Sequence, residues 1–263
     1  MAPQNSEPES GSEGIPAATV VVFRNAADGG PPELLMVTRS RNMTFAGGAA
    51  VFPGGRVDPA DYELAQNIDS LLDRDEIAHR IAAIRETLEE TGLAIGLRGR
   101  IDAESARKAR GLLLEATTLA PVLRAMDWTL DIDAVLPFAR WFPRNERIPR
   151  VFDTRFYLAD LGTGAVDITV DRTENTKLYW ITAQGALDAA AAGELSIIYP
   201  TRRNLERLAQ FASFADAAAD CGRFPVQTIT PFLSVEGEQQ WLRIPGDAGY
   251  PVTGEPLDNV MRG

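Results

Sequence analysis

Residues 74–91 carry apolar side chains at the spacing of one face of an α-helix. At about 100° per residue, four apolar positions fall on one side of this stretch, while acidic residues gather on the other. Asp73, with Glu76 three positions later, resembles a capping arrangement, and Gly92 suits the position that follows a helix. The pattern therefore predicts a helix from about Arg74 to Thr91. Its core-facing positions are Ile77, Ile81, Ile84 and Leu88.

The rest of the chain alternates between strand and helix signals. Runs of β-branched and apolar residues, bounded by turn residues, predict strands at 17–23, 33–39, 135–142, 151–158 and 178–182. Helices are predicted at 104–118, 121–126, 183–192 and 201–219, and a terminal hairpin or extension at 228–251. Residues 1–15, rich in Ser, Glu, Pro and Gly, are expected to form a disordered tail before a single domain over residues 16–263.

Three glutamates crowd the polar side of the predicted helix: Glu86, Glu89 and Glu90. Like charges at i and i+4 cost a helix about 0.2–0.5 kcal/mol per pair, so the Glu86–Glu90 pair needs a reason. One explanation is a solvated face on which Arg85 pairs with Glu89. The other is a hard divalent cation, because carboxylate oxygens suit magnesium or manganese. The Gly54-Gly55 turn favours the second, since glycine lets the backbone approach a ligand closely.

The same segment carries a family resemblance. Residues 85–93, RETLEETGL, match the second half of the Nudix hydrolase signature at every specified position, and Gly55 resembles its leading glycine. The first half departs from the pattern, because the 30 positions between Gly55 and Arg85 are more than the family has. Asp61 stands where the family normally has a glutamate. The resemblance implies a Nudix α/β/α sandwich with a mixed β-sheet, enlarged by two insertions. These are expected at about residues 61–73 and 100–130.

The resemblance also implies a metal site and catalytic roles. Magnesium or manganese would be held by three glutamates and a glycine carbonyl. Arg85 would orient a glutamate through a charge-assisted hydrogen bond, and Glu89 belongs with it among the candidate catalytic residues. Glu86 or Glu174 would accept the proton from the attacking water. The implied metal ligands are Gly55, Glu86, Glu89 and Glu90.

A narrower resemblance precedes the helix. Residues 35–40, LMVTRS, followed by Gly48 and by FPGG at residues 52–55, resemble the extra motif of coenzyme A diphosphatases within the Nudix family. Arg39 in this motif is a candidate for substrate binding. The sequence departs at Val37, where threonine is usual, and at Thr44, where an arginine would contact a substrate phosphate. An ordinary strand–turn–strand is the alternative interpretation.

Two further stretches supply candidate substrate contacts. WFP at residues 141–143 and FDTRF at 152–156 resemble the longer, peroxisomal-type coenzyme A diphosphatases. Between them, a locally basic loop could steer a phosphate group, or could simply be a solvated surface. Its arginines are Arg144, Arg147 and Arg150.

Arg202 and Arg203 begin the predicted helix at 201–219. The helix macrodipole disfavours cations in the first turn by about 0.3–1 kcal/mol, which suggests a nearby anion. A salt bridge with Glu206 is the alternative.

Composition excludes several classes of protein. The net charge of −11 and the pI near 4.7 argue against nucleic-acid binding, which requires a basic face. Cys221 alone cannot form an intramolecular disulfide, and His79 alone, predicted to be solvated, excludes His-rich zinc sites. No apolar run approaches the length of a membrane span, and no secretory signal is present. The sequence therefore predicts a cytoplasmic protein without membrane partners, with a homodimer contact as one use of the second insertion.

Together these observations predict a metal-dependent pyrophosphohydrolase. Its substrate would be a nucleoside diphosphate derivative, with coenzyme A or acyl-CoA favoured and ADP-ribose or a dinucleotide as the alternative. A non-catalytic Nudix-like module that binds nucleotides is the alternative from a different class. That module would be expected to carry a damaged glutamate set, whereas Glu86, Glu89 and Glu90 are all present.

Overall fold

The computed structural model describes residues 14–40, 46–143, 151–162 and 175–260. Strands β1 to β13 are Ile15–Arg24, Glu33–Arg39, Ala50–Val51, Gly54–Arg56, Leu97–Arg98, Thr129–Leu130, Leu136–Trp141, Phe152–Asp160, Asn175–Thr182, Thr228–Ile229, Phe232–Glu236, Gln239–Arg243 and Gly254–Pro256. Helices α1 to α8 are Pro59–Ala65, Arg74–Thr91, Ala103–Ala116, Leu119–Met126, Ala183–Ala191, Tyr199–Leu208, Phe214–Arg223 and Leu257–Val260.

The largest sheet in these residues is mixed and lies between two layers of helices. Its strands run in the order β10-β7-β8-β1-β2-β3, with β4 also paired to β1 and β9 to β2. The β1–β8 and β7–β10 pairs are parallel, and the other pairs are antiparallel. The predicted α/β/α sandwich is therefore confirmed.

Strand β1 shows how the sequence builds both layers. Its side chains alternate between the faces of the sheet, as the two-residue period of a strand requires. Val20 and Val22 pack into the core beneath α1 to α4, whereas Val21 and Phe23 pack into the core beneath α5 to α7. Burial on both faces explains the nearly continuous apolar run that the sequence shows here.

Helix α2 has the predicted bounds. The Asp73 side chain accepts a hydrogen bond from the Asp75 backbone N–H at 2.8 Å, and Gly92 ends the helix with a φ of 79°. That positive φ favours glycine at the position. Glu76 does not complete the predicted cap, because its carboxylate accepts instead from the side chains of Arg80 and Arg155.

The prediction that His79 is solvated was wrong. Only 3% of this residue is exposed, because neighbouring elements cover both flanks of α2. Its Nδ1 lies 2.7 Å from the Asp75 carbonyl oxygen. That oxygen can only accept, so Nδ1 carries the proton. Burial lowers the pKa of His79, which favours the neutral ring.

The predicted single helix at 201–219 was also wrong, because α6 and α7 are separate. The Ser213 side chain accepts a hydrogen bond from the Asp216 backbone N–H at 3.1 Å, which starts α7 anew. Elsewhere β11 and β12 form the predicted terminal hairpin. Helices α3 and α4 lie in the predicted second insertion, and their apolar faces join the same core as α2. None of the helices in the described ranges combines the length and hydropathy of a membrane span.

Candidate active site

The glycine turn packs directly against the glutamates of α2. A Cβ atom on Gly55 would lie 2.4 Å from the Glu86 carboxyl carbon, and one on Gly54 would lie 2.3 Å from the Ala18 carbonyl oxygen. At Gly54 the clash is with backbone, so no side chain fits there, whereas a side chain at Gly55 would displace the end of the Glu86 side chain. The Gly54 backbone N–H donates to Glu90 Oε2 at 3.0 Å, so Glu86 and Glu90 both face the turn. Pairing of β4 with β1 fixes the turn from behind.

Arg85 joins the three elements that build this site. Its Nε and Nη2 donate to the two carboxylate oxygens of Asp61 in α1 at 3.1 and 2.9 Å. Nη1 donates to Glu86 Oε1 at 2.8 Å, and Nη2 also donates to the Arg56 carbonyl of β4 at 2.9 Å. Burial alone would lower the pKa of Arg85, but the hydrogen bonds to Asp61 and the charge of Glu86 raise it. The guanidinium is therefore permanently charged and fixed in orientation.

Asp61 is a positioning residue that sequence reasoning did not assign. It is 2% exposed, and its Oδ2 also accepts from the Asp58 backbone N–H at 2.9 Å, which caps the start of α1. The only signal in the sequence was its place at the family's glutamate position. Its contact with Arg85 crosses the first insertion, and no local pattern predicts such a contact.

Acidic side chains crowd together at this site. Burial, together with the charges of Glu90 and Glu89, raises the pKa of Glu86 to about 8, although Arg85 opposes the shift. Glu89 Oε2 is 3.7 Å from Arg85 Nη1, and its side chain is 31% exposed. The Arg85 guanidinium thus faces Asp61, Glu86 and Glu89 together. A bound cation would relieve the repulsion among these carboxylates.

The donor set fits a hard divalent cation. Carboxylates from two turns of α2 and the backbone of a glycine turn offer only oxygen ligands, which magnesium and manganese prefer. Within the described residues, no group of three or more Asp, Glu, His or Cys side chains is arranged in this conformation so that it could hold a metal ion. The residues that would hold a cation are Glu86, Glu89 and Glu90, with the Gly55 carbonyl beside them.

Arg110 of α3 is a second positioning residue missed at the sequence level. Its Nε donates to the Glu89 carbonyl oxygen at 2.7 Å, and its Nη2 donates to the Glu90 carbonyl oxygen at 3.3 Å. A cation at the carboxyl end of a helix satisfies free carbonyls and complements the macrodipole. Helix α3 therefore holds the end of α2 that carries the glutamates.

The arginines predicted to contact the substrate differ in burial and in their partners. Arg39 lines a cavity of about 120 Å³ that Gly54 also lines. Arg203 is 1% exposed, donates to Glu206 Oε1 at 2.9 Å and lies over the Tyr199 ring. The predicted alternative, a salt bridge with Glu206, is thus present. Arg202 is partly exposed on the same helix.

The other candidate residues, and the departure from the motif at Thr44, lie outside the described residues. These candidates are Glu174, Arg144, Arg147 and Arg150.

Comparison with known proteins agrees with this geometry. The family model of the NUDIX domain matches residues 15–161. The chain is 27% identical to the acyl-coenzyme A diphosphatase NUDT19 of Gallus gallus, over 83% of this chain and 73% of that protein. It is 26% identical to the acyl-coenzyme A diphosphatase NUDT19 of Homo sapiens, over 87% and 75%. A crystal structure of a NUDIX hydrolase from Alicyclobacillus acidocaldarius matches with a TM-score of 0.65 and 26% identity, covering 79% of this chain and 96% of that one.

Proposed function

This chain belongs to the Nudix family and is a pyrophosphohydrolase, and we propose that it cleaves the diphosphate linkage of coenzyme A or acyl-CoA with divalent cations. One observation carries the proposal. Glu86 and Glu90 face the glycine turn, and burial together with the charges of Glu90 and Glu89 raises the pKa of Glu86 to about 8. Nudix hydrolases generally use divalent metals, and this arrangement supports the same requirement here.

The chemistry follows from the charge of the substrate. A phosphoanhydride resists water because its oxygens repel a nucleophile, so catalysis consists mostly of positioning and charge neutralisation. When bound, magnesium or manganese supplies the positive charge that offsets this repulsion. Glu86, Glu89, Glu90 and the Gly55 carbonyl would hold the cations.

The remaining roles concern protons and phosphates. Arg85 keeps the Glu86 carboxylate oriented through its 2.8 Å hydrogen bond. Glu86 or Glu174 would take the proton from the attacking water. Arg39 is supported as a substrate contact by its place in the cavity beside Gly54. Arg144, Arg150 and Arg202 remain proposed phosphate contacts.

Two lines of support favour coenzyme A. Two relatives matched over more than 80% of this chain are named acyl-coenzyme A diphosphatases, and residues 35–55 keep the spacing of the coenzyme A motif. The departure at Thr44 keeps ADP-ribose and dinucleotides among the substrates to test.

A substrate screen in ¹⁸O-labelled water tests the proposal. Coenzyme A, octanoyl-CoA, ADP-ribose and diadenosine diphosphate are each incubated with magnesium or manganese, and with a chelator as the control. We expect coenzyme A to give adenosine 3′,5′-bisphosphate and 4′-phosphopantetheine, with the label on one product only and no turnover in chelator. Nucleotide binding without product release from any substrate would contradict the proposal and support the non-catalytic module.

A further inference from the structure

We propose that the cavity beside Gly54 binds the nucleobase of the substrate, and that the acyl-pantetheine arm lies outside it. This inference rests on the proposed function, because it assigns one half of the substrate to a place next to the candidate metal site. The result would be an enzyme that selects for the nucleotide and tolerates variation in the acyl chain.

The position of the cavity links it to the glutamates. Gly54 lines the cavity while its backbone N–H donates to Glu90. Thr19, which pairs with Gly54 across β1 and β4, lines it as well. A group bound in the cavity therefore lies next to the turn at which the diphosphate would be cleaved. Only one of the two ends of the substrate can occupy that place.

The walls suit a flat ring. Phe52, Trp141, Phe152 and Phe156 line the cavity, and aromatic side chains pack well against planar ligands. The indole of Trp141 is fixed, since its Nε1 donates to the Tyr250 hydroxyl at 3.0 Å and its ring meets that of Tyr250 edge-on. A rigid aromatic wall requires no ordering when the ligand binds.

Arg39 favours a nucleobase over an acyl chain as the occupant of the cavity. It lines the cavity, and its Nε is buried without a hydrogen-bond partner. An alkyl chain in the cavity would leave this donor unpaired, and a buried unpaired donor is unfavourable. The adenine base of coenzyme A brings ring nitrogens that accept hydrogen bonds. The unpaired Nε therefore favours the base.

The shape of the cavity is compatible with this assignment. Its volume is about 120 Å³ and it opens to solvent, so a ring inserted there can stay joined to the rest of the substrate outside.

Part of the cavity wall comes from beyond the family match. Ile198, Pro200 and Thr201, at the start of α6, lie outside the residues 15–161 that the NUDIX domain model covers. Trp141 packs edge-on against Tyr199 of the same helix. The carboxyl-terminal part of the chain therefore shapes the pocket that would choose the substrate.

Calorimetry with two probes tests binding directly. Adenosine 5′-monophosphate and ribose 5-phosphate differ only by the base, and both are titrated into the wild-type protein in chelator. We expect the adenosine compound to bind at least tenfold more tightly. This preference should disappear in two variants. Arg39→Met removes the donor but keeps a side chain of similar length, and Ile198→Trp fills the cavity. Val252→Trp, at an exposed position, is the matched control and should keep it. Equal binding of the two probes to the wild-type protein would overturn the proposal.

Kinetics separate the base from the acyl chain. Free coenzyme A and octanoyl-CoA are compared as substrates of the same variants, with melting temperatures measured to establish that each variant is folded. We expect Arg39→Met and Ile198→Trp to lower kcat/KM by the same factor for both substrates. A loss confined to octanoyl-CoA would place the acyl chain in the cavity and overturn the proposal. If the wild-type protein prefers the adenosine probe yet hydrolyses no coenzyme A, the base site stands and the proposed function fails.

Discussion

Both ends of helix α2 carry acidic residues, but the surroundings of these residues differ between the two ends. Near the amino end, Glu76 accepts from Arg80 Nε at 2.9 Å and from Arg155 Nη1 at 2.7 Å, and Arg155 also pairs with Asp75. The Tyr157 hydroxyl adds a hydrogen bond to Glu76 at 3.2 Å. Each of these two carboxylates thus accepts a hydrogen bond from at least one arginine, and Arg80 also pairs with the exposed Asp133.

The carboxyl end is more crowded with acidic groups. Arg85 faces Asp61, Glu86 and Glu89 together, and burial with the charges of Glu90 and Glu89 raises the pKa of Glu86 to about 8. The comparison indicates that hydrogen bonds from several arginines make the acidic cluster at the amino end structural. At the carboxyl end, the folded protein retains an electrostatic repulsion that a cation can relieve. The difference between the two ends can be tested one substitution at a time.

We expect the largest effect to be the difference in kcat/KM between Glu90→Gln and Glu76→Gln. Glutamine at residue 90 keeps an acceptor for the Gly54 N–H but loses the charge. We expect kcat/KM to fall about 10²–10³-fold, as for the loss of about 3–4 kcal/mol of transition-state stabilisation. Glu76→Gln weakens charged hydrogen bonds and should cost about 1.5–3 kcal/mol of stability, with activity nearly unchanged. Steady-state kinetics measure the change in kcat/KM, and thermal melts measure the change in stability, for both variants.

The amino end serves as the control in that experiment. If Glu76→Gln reduced kcat/KM as strongly as Glu90→Gln, activity would depend on the integrity of the whole helix and not on the crowded carboxylates at one end.

The next effect concerns the stability of the active-site end. Asp61→Asn removes the charge that matches Arg85, and removal of one partner of a buried pair costs about 3–5 kcal/mol. At about 2–4 °C per kcal/mol for a chain of this size, the melting temperature should fall by at least about 6 °C. Asp131→Asn is the matched control, because its partner Arg98 is 70% exposed, and such a pair contributes about 0–1 kcal/mol. Equal melting temperatures for the two variants would contradict the role given to Asp61.

The two ends should also differ in how stability depends on pH. The pKa of Glu86 is raised in the folded protein from its ordinary value of 4.5 to about 8. Its contribution to stability is therefore full below its unfolded pKa and is lost as the pH rises through about 8. The pKa values of Asp75 and His79 are lowered instead, from 3.8 and 6.5, so their contributions are lost only as the pH falls. Between pH 6.5 and 8 the effect of Glu86 should dominate.

Melting in chelator at pH 6.5 and at pH 8 measures this effect. The wild-type protein should lose several degrees at the higher pH, and Glu86→Gln should lose less. Magnesium should restore more stability at pH 8 than at pH 6.5, since binding to the folded state stabilises it. Identical pH dependence in the wild-type protein and the variant would show that Glu86 carries no unrelieved charge.

Local signals in the sequence predicted the helix but not its surroundings. The bounds of α2 were confirmed because Asp73 and Gly92 mark its two ends within the segment itself. The helix expected at 201–219 was wrong because the cap at Ser213 competes with an otherwise helical pattern. His79 was expected in solvent because the elements that bury it come from elsewhere in the chain.

The same division applies to the candidate site. A motif within nine residues, 85–93, identified the glutamates and Arg85, because helical spacing alone brings them together. Asp61 and Arg110 reach this end of α2 only through folding, across 24 and about 20 positions of chain. Local spacing predicts which charged side chains lie together on the helix. The supports that hold them require the tertiary structure.

Arg110 gives the smallest expected effect and tests whether those supports matter. Arg110→Ala leaves the carbonyls of Glu89 and Glu90 without its donors, which should cost about 1 kcal/mol of stability. We expect kcat/KM to fall a few-fold and the magnesium concentration for half-maximal activity to rise, because the glutamates at this end become less well positioned. Arg107→Ala on the exposed side of the same helix removes a guanidinium whose Nε donates to the Ala103 carbonyl within α3, and should change neither quantity. A shift in the magnesium requirement of equal size in both variants would mean that the general loss of positive charge, and not the support of this helix end, controls cation binding.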